Sequence, residues 1–133
     1  MSNTQGTPRY SLTLSIPEIP KSLNRANQGH WATRHRYSLG WKTRISIACL
    51  GKLPKSPLPM VSIEIIRHSD RTLDFDGAVA SMKPVVDALV TAGVMIDDSW
   101  KVTGAWLVDQ KFRPKSSGPI LEIRIRERRV TDT

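Results

Sequence analysis

Apolar and polar residues alternate along Tyr10-Ser-Leu-Thr-Leu-Ser-Ile16. A period of two buries one face of a strand, so this segment predicts a β-strand, ended by Pro17 and Pro20. Lys21–His30 follows as a polar, basic loop. From Trp31 to Leu50 the period changes. Trp31, Tyr37, Trp41, Ile45, Ala48 and Cys49 recur at steps of mostly three and four, which predicts a helix with one apolar face. Arg34, Arg36, Lys42 and Arg44 take the other face, and Gly51 suits a C-cap. Lys52–Pro59 holds three prolines and reads as a connecting loop.

Met60-Val-Ser-Ile-Glu-Ile-Ile66 predicts a second strand, and His68 to Leu73 is a polar approach to an acidic pair. Asp76 is suited to cap a helix running to about Ala92, with Gly93 as its stop. Ala78, Val79, Met82, Val85, Val86, Leu89 and Val90 form its wide apolar stripe. Pro84 lacks a backbone donor, so it kinks this helix or splits it into a short turn and a main helix. Val94-Met-Ile96 leads into Asp97-Asp98. Trp100 to Val108 reads as a third strand and Pro119 to Glu127 as a fourth, with the basic turn Lys111–Gly118 able to close a hairpin between them. The order β-α-β-α-β-β predicts one α+β domain over residues 1–133, with a four-stranded mixed sheet and both helices on one face. Alternation in the terminal strands leaves the other face at least partly exposed. Residues 1–8 and 130–133 read as loose ends.

Composition narrows the class. With 133 residues, 39% hydrophobic and 24% charged, the chain can bury a core without staples and is not a disordered tract. No apolar run approaches the ~20 residues of a membrane span. The first residues lack the charged and apolar regions of a secretory leader. Cys49 is the only cysteine, which excludes an internal disulfide or a cysteine-rich zinc site, fits a reducing cytoplasm and suggests a buried, inert thiol.

Twenty Lys and Arg against 12 Asp and Glu give a net charge of +8. That favours a polyanionic partner, nucleic acid before membrane, although a basic protein with no such partner has the same composition. The distribution says more. Asp70, Asp74, Asp76, Asp87, Asp97 and Asp98 are half of the acids, and only Arg71 and Lys83 lie among them, so residues 70–98 net −4 and the remainder +12. A basic surface can hold phosphates while such an island binds the cation that acts on one of them.

In an extended segment Asp74 and Asp76 point the same way, and carboxylate oxygens are hard ligands suited to Mg²⁺ or Mn²⁺. Helix capping and turn formation are ordinary roles for the same aspartates. An unbroken helix of about 16 residues would hold the two acidic pairs ~24 Å apart, so they meet only if the ordered helix is shorter. On an unbroken helix Lys83 and Asp87 would return near the face of Asp76. Lys83 then suits either a scissile phosphate or an ion pair with Asp87 at i+4. His68 is near enough in sequence to support the acids. No histidine pairing indicates zinc, no glycine-rich phosphate loop indicates nucleotide chemistry, and no serine or cysteine nucleophile has an identifiable base.

Leu73-Asp-Phe-Asp76, then Lys83-Pro-Val-Val-Asp-Ala-Leu-Val-Thr-Ala-Gly-Val-Met-Ile-Asp-Asp98, resembles the RusA-type Holliday junction resolvases of phages and prophages. The first strand, the Ile16-Pro17…Pro20-Lys-Ser-Leu-Asn24 loop and the terminal strands are similar too. The resemblance implies a RusA-like fold and a homodimeric, Mg²⁺-dependent endonuclease, with Mn²⁺ as a substitute. Its activity would be paired incision of four-way DNA junctions in recombination and repair, in the cytoplasm of a bacterial host. It assigns catalysis to Asp74, Asp76, Asp98 and Lys83, and the metal to Asp74, Asp76 and Asp98, with Asp97 in support. No membrane and no nucleotide cofactor enters.

Lys21, Arg25, Arg34, Arg36, Lys42, Arg71, Lys111, Arg113 and Lys115 are the expected DNA contacts. One or more of Trp31, Trp41, Trp100 and Trp106 could stack at a junction, with core packing expected for most. Two features depart from the family. Its asparagine after the second aspartate is Gly77 here, and Lys83 lies about one helical turn further on. A non-catalytic DNA-binding protein of the same fold, or a metal nuclease for other branched nucleic acids, fits the same residues.

Overall fold

The computed structural model describes residues 8–22 and 29–132. Its elements in chain order are β1 (Ser11–Ile16), α1 (Trp31–Ala48), β2 (Val61–Ser69), α2 (Phe75–Ser81), α3 (Lys83–Ala92), α4 (Trp100–Thr103), β3 (Leu107–Phe112) and β4 (Ile120–Glu127). The four strands make one mixed sheet in the order β1-β4-β2-β3. β4 runs antiparallel to both β1 and β2, and β3 lies parallel to β2 on the outer edge. The architecture is therefore α+β with a four-stranded mixed sheet.

Side-chain alternation sorts the two faces. Leu12, Leu14 and Ile16 of β1, Leu121, Ile123 and Ile125 of β4, and Val61, Ile63 and Ile65 of β2 are buried on one face. α1 and α3 pack together over it and add Trp41, Ile45, Val85, Val86, Ala88 and Leu89 to the same cluster. Their burial is the main stabilising term, at about 25 cal/mol per Å² of apolar surface removed from water. The opposite face carries Thr13, Glu64, Glu122 and Arg124, and Arg124 pairs with Glu122 and Glu64. Cys49 is buried in the core, which raises its thiol pKa. Among the described residues, no helix is long and apolar enough to cross a membrane.

Pro84 splits the central helix. α2 stops at Ser81, Met82 ends one helix and begins the next, and Pro84 occupies the first turn of α3, where no backbone donor is needed. Gly93 closes α3 in the left-handed conformation at φ 94°. Because the helix is broken, regular steps from Asp76 do not carry through to Lys83 and Asp87.

Three expectations are corrected. Asp74, not Asp76, caps the first of these helices. The third strand does not begin at Trp100. Asp97 accepts a hydrogen bond from the Ser99 N–H, and a helical turn, α4, starts directly after it. Gly104 ends that turn at φ 59°, and the strand begins only at Leu107. These local hydrogen bonds outweigh the alternation of the Trp100–Val108 stretch. β3 and β4 do not form a hairpin either, because β2 lies between them; residues 113–119 cross over it.

Candidate functional site

β2 leaves the sheet at Ser69, and the chain turns through residues 70–73 to reach α2. Gln110 of β3 grips this turn twice. Its side-chain oxygen accepts from the Leu73 N–H at 2.8 Å, and its side-chain nitrogen donates to the Leu73 carbonyl at 2.8 Å. Asp74 is thereby delivered to the start of α2, where its Oδ1 accepts from the Gly77 N–H at 2.9 Å. That contact depends on residue 77 lacking a side chain. A Cβ there would stand 2.5 Å from the Asp74 Oδ1. Asp76 follows, exposed, in the first turn of the helix.

The second acidic pair returns by a short path. α3 has 10 residues and is ~15 Å long. Beyond Gly93 the chain reverses, and Met95 bridges to Leu58. A few extended residues at ~3.3 Å each bring the chain back along a helix of that length. Asp98 consequently meets Lys83 at the opposite end of α3. The Lys83 ammonium pairs with Asp98 and, at 2.9 Å, with Asp87. The expected i+4 ion pair of Lys83 with Asp87 is present, and Asp98 joins it. Asp98, then Asp87, raise the Lys83 pKa, while Lys83 lowers that of Asp98. Ser99, through side-chain and backbone donors, lowers the Asp97 pKa.

These two arms of the acidic corner border one cavity of about 400 Å³, lined by Phe75 and Val79 of α2, Asp98, Trp100 and Trp106. Trp41 is buried and Trp106 partly buried, but Trp31 and Trp100 are 63% and 76% exposed. The expectation that most tryptophans enter the core is therefore corrected. Phe75, between the two aspartates, is also exposed.

Asp74, Asp76, Asp97 and Asp98 present only carboxylate oxygens, the donor set a hard divalent cation prefers. Their kind fits such an ion. Their positions are open, for among the described residues no group of three or more Asp, Glu, His or Cys side chains stands close enough to hold one. His68 does not join them; its Nε2 lies 3.0 Å from Glu122 on the open face of the sheet.

The basic residues divide into groups. Lys21, Arg71, Arg113 and Lys115 line one cavity of about 600 Å³ beside the 70–73 turn. Arg34 and Arg36 are exposed on α1, with Lys42 half-buried on the same helix. Lys111 sits on the edge strand, opposite His68 in the sheet register. Arg25, and Asn24 of the loop, lie outside the described residues.

Two further residues have no counterpart among the sequence expectations. Gln110 belongs to no motif. Arg67 does leave a signal, since it continues the core-facing series Val61, Ile63, Ile65 as a charge where an apolar residue is expected. It is only 5% exposed, and it lines the same cavity as the four cations. Burial lowers its pKa.

Compared with protein-family models and with curated proteins, the chain matches none.

Proposed function

We propose that this protein is a divalent-metal-dependent endonuclease of RusA-like fold that cuts branched DNA, four-way junctions first. The observation that carries the reading is the meeting of Lys83 with Asp98, fifteen residues away, where Asp98 also lines a cavity with Phe75. Asp98 thus borders the same cavity as the residue that stands between Asp74 and Asp76 at the start of α2.

Asp74, Asp76 and Asp98, with Asp97 in support, would hold Mg²⁺, or Mn²⁺ in its place. The ion would supply Lewis-acid stabilisation and an activated water for phosphodiester hydrolysis. Lys83, kept protonated by its two carboxylates, offers a positive charge to a phosphate that enters the corner. Gln110 fixes the turn that aims Asp74. The cationic cavity on the other side of that turn follows the DNA backbone. A homodimer would present two such corners to the two equivalent strands of a junction.

The test is incision of a labelled synthetic four-way junction under Mg²⁺ or Mn²⁺ titration, with flaps, forks and RNA as competitors. Metal-dependent paired products, lost in Asp74→Asn and Asp98→Asn while junction binding persists, are expected. Full activity in either variant overturns the site. Binding without cleavage would make the protein a non-catalytic DNA binder, and preference for another competitor would move the substrate.

A further inference from the structure

Arg67 is a charge without a visible counter-charge. Its Nη1 donates to the Pro20 carbonyl at 2.8 Å, but its Nε has no partner, and no carboxylate pairs with it, among the described residues. An arginine side chain does not shed its proton to escape burial. A guanidinium placed among core residues without an acid is costly, and an incoming anion offsets that cost.

The cavity it lines is built for such an anion. Lys21, Arg71, Arg113 and Lys115 line it too, and Asp70 is its only acidic wall among the described residues. Two of these cations are held in place beforehand. The Arg113 Nε donates to the Gly118 carbonyl at 2.7 Å and an Nη to the Ser117 carbonyl at 3.2 Å. The Lys21 ammonium lies 5.3 Å from the centre of the Tyr37 ring, and its backbone N–H donates to the Tyr37 hydroxyl. Ile19, Pro20, Pro114 and Pro119 form a stiff apolar rim. Guanidinium groups match phosphate oxygens in pairs, which ammonium groups and water do not.

We propose that this cavity is a phosphate seat, with Arg67 as its floor, that grips one phosphodiester of the bound nucleic-acid strand. Thr72 and Leu73 form part of its wall, and the next residue is Asp74. A phosphate held here sets the strand's register relative to the acidic corner. The inference builds on the nucleic-acid reading above and specifies where that strand is anchored.

The experiment follows the Arg67 Nε–H resonance by ¹⁵N NMR in the full chain, adding inorganic phosphate and then an unlabelled four-way junction. In parallel, junction affinity is measured against salt for Arg67→Gln and for the exposed double variant Arg71→Gln/Lys115→Gln, which keeps the test valid if Arg67→Gln fails to fold. A saturable shift with the junction is expected. Affinity should fall about tenfold at fixed salt, and the log–log salt slope should shrink by about one for each phosphate no longer engaged. An unmoved resonance at saturating junction, or an unchanged slope in folded variants, overturns the seat. A shift with inorganic phosphate but none with DNA overturns it as a strand anchor and leaves a free-phosphate site. Cleavage with a silent seat spares the nuclease reading, whereas a responsive seat without cleavage removes the nuclease and keeps the seat.

Discussion

The acidic corner and the basic cavity lie on either side of one turn, residues 70–74, yet they hold charge in opposite ways. In the corner, three carboxylates already have donors: Asp74 the Gly77 N–H, Asp97 the Ser99 N–H, and Asp98 the Lys83 ammonium. In the cavity, five cations face one acid, and the most buried of them has an unpaired nitrogen among the described residues. A cluster whose carboxylates already accept internal hydrogen bonds gives up some of them when it engages anything else. An uncompensated one gains by engaging. The cavity is therefore expected to bind first and to supply free energy for rearrangement at the corner.

The largest effect should come from breaking the corner alone. Lys83→Met is expected to lower cleavage by about 100-fold or more while junction affinity changes little, read from single-turnover incision beside anisotropy. Equal loss of both would erase the distinction between the two regions. Gln110→Ala attacks what they share. It removes both bonds to Leu73, so about 1–3 kcal/mol of stability should disappear in chemical denaturation, with cleavage and binding falling together.

Arg67→Met separates folding from function. Replacing an unpaired buried charge with an apolar chain should leave stability unchanged or raise it by about 1 kcal/mol, despite the missing bond to Pro20, as thermal melting would show. Gly77→Ala should be nearly neutral. Alanine gains ~1 kcal/mol of helix propensity over glycine, and its Cβ displaces the Asp74 carboxylate, removing a cap of ~1 kcal/mol. Release of Asp74 should still appear in its ¹³C carboxyl shift.

The smallest test is electrostatic. Asp98 has a depressed pKa when folded, so its contribution is present above the ordinary aspartate range and lost as pH falls through the depressed value. Lys83 has a raised pKa, so its contribution is full below the ordinary lysine range and lost as pH climbs through the raised value. The pair is intact between those limits. In Lys83→Met, the carboxyl titration of Asp98 should move up toward the ordinary range.

Much of this organisation is readable before any coordinates. Alternation locates β1, β2 and β4, and Pro84 and Gly93 mark the break and the end of the central helices. β3 escapes because Asp97 and Ser99 redirect the backbone through side-chain bonds that hydropathy does not register. Strand order escapes because adjacency in sequence suggests a hairpin, whereas β2 offers β4 a longer apolar edge. The carboxylates and Lys83 are visible as chemistry, but their meeting depends on how far the chain turns back after Gly93. Arg67 is hidden by its own setting, since a charge inside an apolar run looks like an irregularity until its surroundings are known. Trp100 fails the rule that large aromatics enter cores because α4 turns it outward.

The position of β4 has a consequence for how the molecule is made. β4, the last of the four described strands along the chain, is the one that both β1 and β2 pair with. Until Glu127 clears the exit tunnel, the earlier strands have no central partner, and their apolar rows stay available to other nascent chains. Assembly of the sheet therefore waits for β4 to emerge, and translation speed and chaperone access become part of the yield of native protein.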